Sequence, residues 1–405
     1  MPDTYVYRVR DNRGALLHGS LEADSPAGVV SRLRAMGYIP LSVERKTAGL
    51  STEITLPFIG RRVKPDALSV FSRQFATMID SGLTLIRSLA ILGDQTEDKF
   101  FAETLRTVRQ DVEQGASLSY ALGRHPKIFP RIYVAMVRAG EIGGSLDASL
   151  LGLADTLEKQ TALRRKIKSA MTYPVAVLVL VLVILTAMLI FVVPQFKSIF
   201  AQLGGTLPLP TQILVTVSND AVILIPALIV VGIIGVYLFR RWISRPFGRS
   251  VWDAFKLRIP LFGKLVHLNA IARTCRTLAA LTRSGVPLLE ALEITKDTSG
   301  NAVVAAVIAD VQDGVSGGEP IARRLGNHRV IPPMMAQMVS VGEESGAVDT
   351  MLEKVAIFYE GQVEALVASL SSLMEPILIS VLGGVVGSMV ISLYLPMFKV
   401  INLVH

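Results

Sequence analysis

Long apolar runs dominate the hydropathy pattern of this chain. Three of them have about 20 residues each, the length that a helix needs to cross the hydrocarbon core of a bilayer. None of the three contains an ionised side chain. The runs read PVAVLVLVLVILTAMLIFVVP, AVILIPALIVVGIIGVYLF and PILISVLGGVVGSMVISLYLP, and they predict transmembrane helices at 174–195, 221–239 and 374–396.

The stretches between the runs have the pattern of amphipathic helices. In FSRQFATMIDSGLTLIRSLAILGDQ, which starts at Phe71, apolar residues recur every three or four positions until Ser81 and Gly82 interrupt them. Helix–turn–helix units of this length pack into bundles. We therefore expect two helical bundles, at 66–173 and 240–373.

The first sixty residues have a different pattern. TYVYRV and ALLHGSLEA predict two strands joined by the turn RDNRG. SPAGVVSRLRAMG predicts a helix, with Ser25 as its N-cap and Pro26 at its first position, and YIPLSVER returns to strand. We expect a small α/β module at 1–46, followed by a linker at 47–65.

Two loops of nearly identical sequence indicate an internal repeat. AGEIGGSLD starts at Ala139 and VGEESGAVD starts at Val341, 202 residues later. Upstream, with one residue of slippage, the segment from Arg73 resembles the segment from Arg276. Further pairs at the same offset are Leu150 and Leu352, Ala154 and Ala356, Glu158 and Glu360, Gln160 and Gln362, Pro174 and Pro376, and Pro194 and Pro396. The pattern predicts a tandem duplication, roughly 66–198 and 269–400.

The repeated loop provides the candidate site residues. They are Gly140, Glu141, Gly144 and Asp147 in the first copy, and Gly342, Glu343, Gly346 and Asp349 in the second. The glycines suit a tight turn, and an aspartate in the first turn of a helix favours the helix dipole by about 0.3–1 kcal/mol. A tight turn between two helices of a bundle explains the glycines and the aspartates. The glutamates are either ordinary surface acids or exposed acids that bind a cation or a partner's arginine.

Each loop is followed by a long helix that leads to an apolar run. We expect these helices to end at Pro174 and Pro376 and to couple each bundle mechanically to its span. Glu375 lies at the membrane edge, where an acid is either hydrated or functional. Gly383 and Gly387 form a G-x-x-x-G step that fits packing among the spans or a dimer contact.

The placement of charge predicts the orientation in the membrane. Basic residues precede the first run and follow the second, and Lys197 is the one basic residue between these two runs. The positive-inside rule then places 1–173 and 240–373 in the cytoplasm, and 196–220 and 397–405 outside. Because much of the +8 net charge borders the membrane, we expect no nucleic-acid partner.

The sequence offers little support for catalysis or transport. The five histidines lack metal-ligand spacing, no P-loop motif is present, and Cys275 lies in an apolar helical pattern typical of a core. A transporter built on repeats would place interrupted helices at the membrane midplane, whereas these repeats are mostly soluble bundle. We therefore expect no enzyme, no cofactor and, as a remote alternative only, a transporter.

Several motifs together resemble the type II secretion F family, the inner-membrane platform proteins of type IV pilus and type II secretion machines. The resemblance covers nearly the whole chain and rests on FSRQFATMIDSGLTL, AGEIGGSLD, LPLPT, RTLAALTRSGVPLLEAL, VGEESGAVDTMLEKVAIFYE and EPILISVLGGVVGSMVISLYLPMF. The ending YLPMF is more similar to the pilus branch.

The resemblance implies a mainly α membrane protein, with two cytoplasmic six-helix bundles, three spans and no catalysis. It implies a multi-pass protein of the bacterial inner membrane with a cytoplasmic N-terminus. The implied partners are a hexameric cytoplasmic ATPase, pilin or pseudopilin subunits, other inner-membrane assembly proteins and further copies of the chain, as a dimer or higher. Some secretion-branch members bind calcium, but Leu151 stands where an acid would help after Asp147.

Overall fold

The computed structural model describes residues 3–10, 16–23, 25–45, 63–202, 209–260 and 262–401. The predicted turn between the first two strands and most of the predicted linker lie outside these residues. The chain divides into two compact units, Met1–Arg61 and Arg62–His405.

The first unit contains a three-stranded antiparallel sheet and one helix. The elements are β1 Asp3–Arg10, β2 Leu16–Ala23, α1 Pro26–Ala35 and β3 Ile39–Arg45, with strand order β2-β1-β3. Ser25 caps α1, because its hydroxyl accepts a hydrogen bond from the amide of Gly28 at 3.2 Å. Val29 and Leu33 of α1 pack against Tyr5 and Val9 of β1 and form the core of this unit.

The second unit is helical throughout its described part. Its first half consists of α2 Pro65–Asp80, α3 Leu85–Gln95, α4 Lys99–Glu113, α5 Leu118–Gly123, α6 Arg131–Gly143 and α7 Leu146–Ala187. A π-helical turn, Met188–Val192, then leads into α8 Val193–Gln202, and α9 Leu209–Ile243 follows. Its second half consists of α10 Pro246–Arg258, α11 Phe262–Arg283, α12 Leu288–Thr298, α13 Ala302–Ser316, α14 Ile321–Gly326, α15 Pro333–Ser345 and α16 Val348–Ile401.

The helices repeat as the sequence predicts. The run from α2 to α7 corresponds helix by helix to the run from α11 to α16. Helices α5 and α14 begin at 118 and 321, an offset of 203, whereas α6 and α15 begin at 131 and 333, an offset of 202. The single-residue slippage therefore lies in the loop before α6 and α15, where a change of length disturbs no helix.

The two repeats build the same architecture from different core side chains. In the first, Phe71, Phe101, Phe129 and Tyr133 form a chain of aromatic contacts with centroid distances of 5.1–6.2 Å. In the second, the core is mainly aliphatic, with Leu278, Val304, Met335 and Leu352 among its buried residues and Tyr359 as a buried aromatic one. The two repeats thus share apolar residues at helical spacing, but they do not share the same packing of particular side chains.

The helices that carry the first and third apolar runs continue through their prolines. Pro174 lies inside α7 and Pro376 lies inside α16, so the expectation that these helices end at the prolines is wrong. Proline removes one backbone donor, which a long and otherwise regular helix tolerates, especially beside a membrane. Pro174 is buried, whereas Glu375 and Pro376 are exposed.

Two helices in the described residues are long and apolar enough to cross a membrane. They are Leu146–Phe196 and Val348–Ser392. The apolar run at 221–239 lies within α9, which begins at Leu209, well before the predicted start of that span. The segment at 196–220, predicted as a loop, is largely helical because α8 and α9 extend into it from either side.

Candidate functional site

The repeated loop, defined here as 139–147 and 341–349, reverses the chain between two helices in each repeat. Gly144 ends α6 with φ 67° and Gly346 ends α15 with φ 69°. The amide that follows each glycine donates to a carbonyl back in the helix: Ser145 to Gly140 at 3.0 Å, and Ala347 to Gly342 at 2.8 Å. Glycine suits this left-handed position because it lacks the Cβ that makes positive φ unfavourable.

Gly140 and Gly342 serve a different purpose, which the sequence alone did not reveal. A Cβ on Gly140 would lie 2.6 Å from the Ser149 hydroxyl, and one on Gly342 would lie 2.8 Å from the Cα of Val348. Both distances are too short for any real side chain. These glycines allow the incoming helix to touch the outgoing one, which fixes the corner.

The glutamates of the repeated loop bind within their own bundle. Glu141 accepts hydrogen bonds from the amides of Leu118 at 2.5 Å and Ser119 at 3.0 Å, at the start of α5. Glu343 accepts from Ile321 at 2.6 Å and Ala322 at 3.0 Å, at the start of α14. Both carboxylates are half-buried, so the description of them as exposed acids is wrong.

This carboxylate arrangement satisfies helix termini that would otherwise lack partners. The first amides of a helix have no acceptor within the helix, and a carboxylate placed there gains charge-assisted hydrogen bonds. The acceptor here comes from the next helix, more than twenty residues later, so it also joins α5 to α6 and α14 to α15. The same contact appears in both repeats, which identifies it as part of the common architecture.

The aspartates of the repeated loop lie where the sequence predicts them. Asp147 and Asp349 occupy the first turns of α7 and α16. Asp349 also lies 3.6 Å from the guanidinium of Arg283, which contacts Glu353 as well. The hydrogen bond from Arg283 lowers the pKa of Glu353 below its ordinary value.

A second repeated contact connects the first helix of each bundle to its last. Arg73 binds both oxygens of Glu158, at 2.7 and 2.6 Å, and Arg276 binds both oxygens of Glu360, at 2.9 and 2.6 Å. Hydrogen bonding from Arg73 lowers the pKa of Glu158. The Arg276 pair is the more buried of the two, since 4% of the Arg276 side chain is exposed against 36% of that of Arg73. These are the long helices that lead to the apolar runs, so each pair fixes such a helix to its bundle.

The two bundles contact each other through ion pairs that the repeat does not duplicate. Arg131 of α6 binds Glu293 at 3.0 Å and Asp297 at 2.6 Å on α12, and Arg138 of α6 binds Glu290 of the same helix. We call this surface the interbundle interface. It joins α6 of one bundle to α12 of the other, so non-equivalent faces meet.

The long helices also meet directly and extend the interbundle contact. Lys166 of α7 binds Glu364 of α16 at 2.6 Å, and the two helices pack along each other. Apolar residues from both repeats belong to one continuous core. The two bundles therefore behave as one body from which α7 and α16 emerge side by side.

Hydrogen bonds from hydroxyl groups connect the far ends of the apolar helices to one another. The Ser218 hydroxyl donates to the carbonyl of Leu189 in the π-helical turn, where the regular hydrogen-bond ladder is interrupted. Thr211 donates to the carbonyl of Ser392. Val193, Val215 and Met389 pack between them. Hydroxyl-to-carbonyl contacts of this kind are typical of helices that associate within a bilayer.

Other candidate chemistry does not assemble into a reactive site in the described residues. No group of three or more His, Cys, Asp or Glu side chains there is arranged to hold a metal ion. Cys275 is buried in the core, as the sequence predicts, and burial raises the pKa of its thiol to about 12. A protonated, inaccessible thiol is a poor nucleophile.

These features define a class of protein: a duplicated helical-bundle protein with apolar helices continuous with its bundles. The chain matches the family described as type II secretion system (T2SS), protein F, over residues 71–194 and again over 274–396. It also matches that family's N-terminal domain over residues 1–44. The chain belongs to the type II secretion system protein F family, and the two matches confirm the duplication.

Curated relatives of similar length share much of the sequence. The type IV pilus assembly protein PilC of Thermus thermophilus is 44% identical over 399 residues, which cover 98% of each chain. The protein of the same name from Myxococcus xanthus is 40% identical over 396 residues, covering 98% of this chain and 94% of that one. The type II secretion system protein F of Xanthomonas campestris is 35% identical over 403 residues, covering 98% of each.

Proposed function

We propose that this protein is the inner-membrane platform of a type IV pilus machine. In this role it transmits the work of a cytoplasmic ATPase to pilin subunits, which move from the bilayer into the growing fibre. The observation that carries the proposal is the near-complete alignment with two proteins named for type IV pilus assembly. The continuous helices from bundle to apolar run supply the physical means.

The proposed arrangement in the membrane has three spans and a cytoplasmic N-terminus. The apolar side chains of α7, among them Leu180, Leu182 and Val183, are exposed on the single chain, as lipid-facing residues would be. Arg240 and Arg241 at the end of α9 favour a cytoplasmic position for that terminus. Both bundles then face the cytoplasm, where an ATPase can reach them.

In the proposed mechanism the protein transmits movement and catalyses no reaction. The ion pairs of Glu158 and Glu360 hold the long helices to the bundles, so a displacement of the bundles moves α7 and α16 with them. The proposal involves no cofactor and no covalent step. Its partners are the ATPase, pilin subunits, other inner-membrane assembly proteins and further copies of this chain.

A deletion strain tests the proposal against its main alternative. The alternative, a platform for type II secretion, is supported by the similarity to the secretion protein F of Xanthomonas campestris. We expect deletion to abolish surface pili, measured by electron microscopy and shear preparation, and to leave the set of exported enzymes unchanged. Complementation with the intact gene should restore pili. Retained pili with a loss of exported enzymes would reject the pilus role in favour of secretion.

A further inference from the structure

An open cavity of about 840 Å³ lies between the two bundles, close to the start of the first apolar run. Its lining is rich in basic side chains: Arg164 and Lys168 from α7, Lys127 from the loop before α6, and Arg273 from α11. Lys168 precedes Pro174 by six residues, so the cavity begins about 9 Å along the helix from the apolar run. The cavity thus lies at headgroup depth if α7 enters a bilayer at Pro174.

The positive charge of this cavity is not neutralised by the described residues. Arg276 also lines the cavity, but it is already paired with Glu360, the one carboxylate among the described lining residues. Among the described residues, Lys127, Arg164, Lys168 and Arg273 make no ion pair with a carboxylate.

The like charges in this cavity also act on one another. Surrounding protein atoms and the nearby charge of Arg164 lower the pKa of Arg273. Four cations that converge on one cavity repel each other, and an anion bound between them would relieve that repulsion.

An apolar groove adjoins the basic cavity on its membrane side. Ile167 and Met171 of α7 line both. The groove continues along Pro174, Phe262 and Met374, between α7, α11 and α16; its accessible lining is apolar, but its volume is only about 10 Å³. Beyond Pro174, α7 exposes apolar side chains, among them Val175, Leu178 and Val179. A basic cavity followed by an exposed apolar surface matches a molecule with an anionic end and a hydrocarbon end.

We propose that this cavity binds the phosphate-bearing headgroup of an anionic phospholipid, with its acyl chains against the apolar surface that α7 exposes beyond Pro174. Arginine and lysine would bind the phosphate by charge-assisted hydrogen bonds, and a basic pocket on the cytoplasmic side of membrane helices suits this class of ligand. The lipid would contact α7 of the first repeat and α11 of the second. It would therefore stabilise the pairing of the bundles at the membrane surface.

The exposed apolar surface of α7 favours a lipid over a soluble phosphate compound. A free phosphate ester would use only the basic cavity and would not cover the apolar side chains beyond it, among them Val175, Leu178 and Val179. Burial of hydrocarbon contributes about 25 cal/mol per Å². A bound acyl chain therefore adds affinity that a soluble anion lacks, and this difference can be measured.

The test uses the full-length protein purified in a neutral detergent, with native mass spectrometry to count bound lipids. The probes are phosphatidylglycerol, diphosphatidylglycerol and, as the zwitterionic control, phosphatidylcholine; glycerol phosphate and inorganic phosphate are the soluble competitors. We expect the anionic lipids to bind at least about tenfold more tightly than phosphatidylcholine. We also expect neither soluble competitor to displace them at equal concentration.

The variant Arg164→Gln/Arg273→Gln should weaken binding of the anionic lipid at least about tenfold, because two charge-assisted contacts are lost. The matched control, Arg87→Gln/Lys99→Gln, removes the same charge from exposed positions on α3 and α4, outside the cavity and away from the apolar runs, and should change binding less than about twofold. Without lipid, the cavity variant should unfold at the same temperature as the parent or higher, since its mutual repulsion is relieved.

Two results would overturn the proposal. Equal lipid binding by the cavity variant and the parent would show that the cavity is not the site. Displacement of the lipid by glycerol phosphate or inorganic phosphate at equal concentration would assign the cavity to a soluble anion. Neither result depends on pilus assembly, so this test is separate from that of the proposed function.

Discussion

Individual residues of the repeated loop show where sequence reasoning works and where it stops. The positive φ of Gly144 and Gly346 could be expected, because a glycine after an amphipathic helix is a frequent helix end. The role of Glu141 could not, because its partners are amides of Leu118 and Ser119. The residues next to Glu141 in the sequence do not show that its carboxylate accepts hydrogen bonds from a helix that begins more than twenty residues earlier. This contact follows from the packing of α5 against α6.

Substitution of Gly144 by valine should destabilise the first bundle. A Cβ at this position meets nothing within 4 Å, so the expected loss of about 1–3 kcal/mol comes from backbone strain alone. The control is Gly143→Val, one residue earlier, where the helix has ordinary geometry and the new Cβ would make an ordinary contact at 3.6 Å. Thermal unfolding of the purified protein measures both, and equal midpoints would contradict the strain argument.

Substitution of Glu141 by glutamine should lower the unfolding free energy by about 1–2 kcal/mol. The amide keeps one acceptor oxygen for the two backbone donors and loses the charge that strengthens both bonds. Glu344→Gln is the control, because that neighbouring acid of the second repeat is exposed. A Glu141→Gln variant as stable as the Glu344→Gln variant would show that the carboxylate contributes nothing to the start of α5. A separate prediction is that these glutamates contact an assembly partner, and a fibre-assembly assay of the same variants tests it.

At the level of elements, the sequence predicts helices well and their mutual contacts poorly. Periodicity locates the helix pair that starts near Phe71, and the 202-residue offset locates the long helix after each repeated loop and the one-residue slippage; the count of six helices in each bundle is implied only by the family resemblance. The offset carries no information about the interbundle interface, because Arg131 and Arg138 correspond to Pro333 and Ser340 in the second repeat. The expected helix ends at Pro174 and Pro376 are also wrong. Proline alone does not break a helix whose remaining hydrogen bonds and packing are intact.

A charge exchange across the interbundle interface tests that contact. Arg138→Glu would place two carboxylates opposite each other, at positions 138 and 290. Glu290→Arg would place two guanidinium groups there. Each single variant should be less stable, and the double variant should recover about 0.2–1 kcal/mol, the usual range for exposed pairs. The measurement is a double-mutant cycle from thermal unfolding. Strict additivity of the two changes would contradict the pairing.

The whole molecule combines a duplicated plan with an unsymmetrical assembly. Duplication supplies two bundles of the same architecture, each fixed to a long helix by an arginine–glutamate pair. The bundles then associate through α6 and α12, which are not equivalent positions in the repeat. The duplication could be predicted because a repeat appears as a constant offset along the sequence. The asymmetric contact between α6 and α12 depends on surface charges that only the folded chain brings together.

The orientation of the whole molecule follows from the proposed three spans. In intact cells, a membrane-impermeant thiol reagent should label a cysteine placed at Ser198 in α8 or at Gly205, which lies outside the described residues. It should not label one placed at Ser145. The native Cys275 gives no background because its side chain is buried. Labelling at Ser145 without permeabilisation would overturn the orientation.

The central claim is that work applied to the bundles reaches the membrane along α7 and α16. Ser169 is an exposed position between the buried Thr161 and the apolar run, so an insertion after it leaves the buried α7 positions from Ser149 to Thr161 in place and displaces Ala170, which is partly buried against the core. The most direct measurement compares surface pili in cells that carry Gly-Ser-Gly-Ser or four alanines at this point. Both inserts add the same number of residues, but only the alanines continue the helix. The account predicts normal protein levels with both inserts, loss of pili with the flexible insert, and substantially more pili with the helical one. Normal piliation with the flexible insert would contradict it.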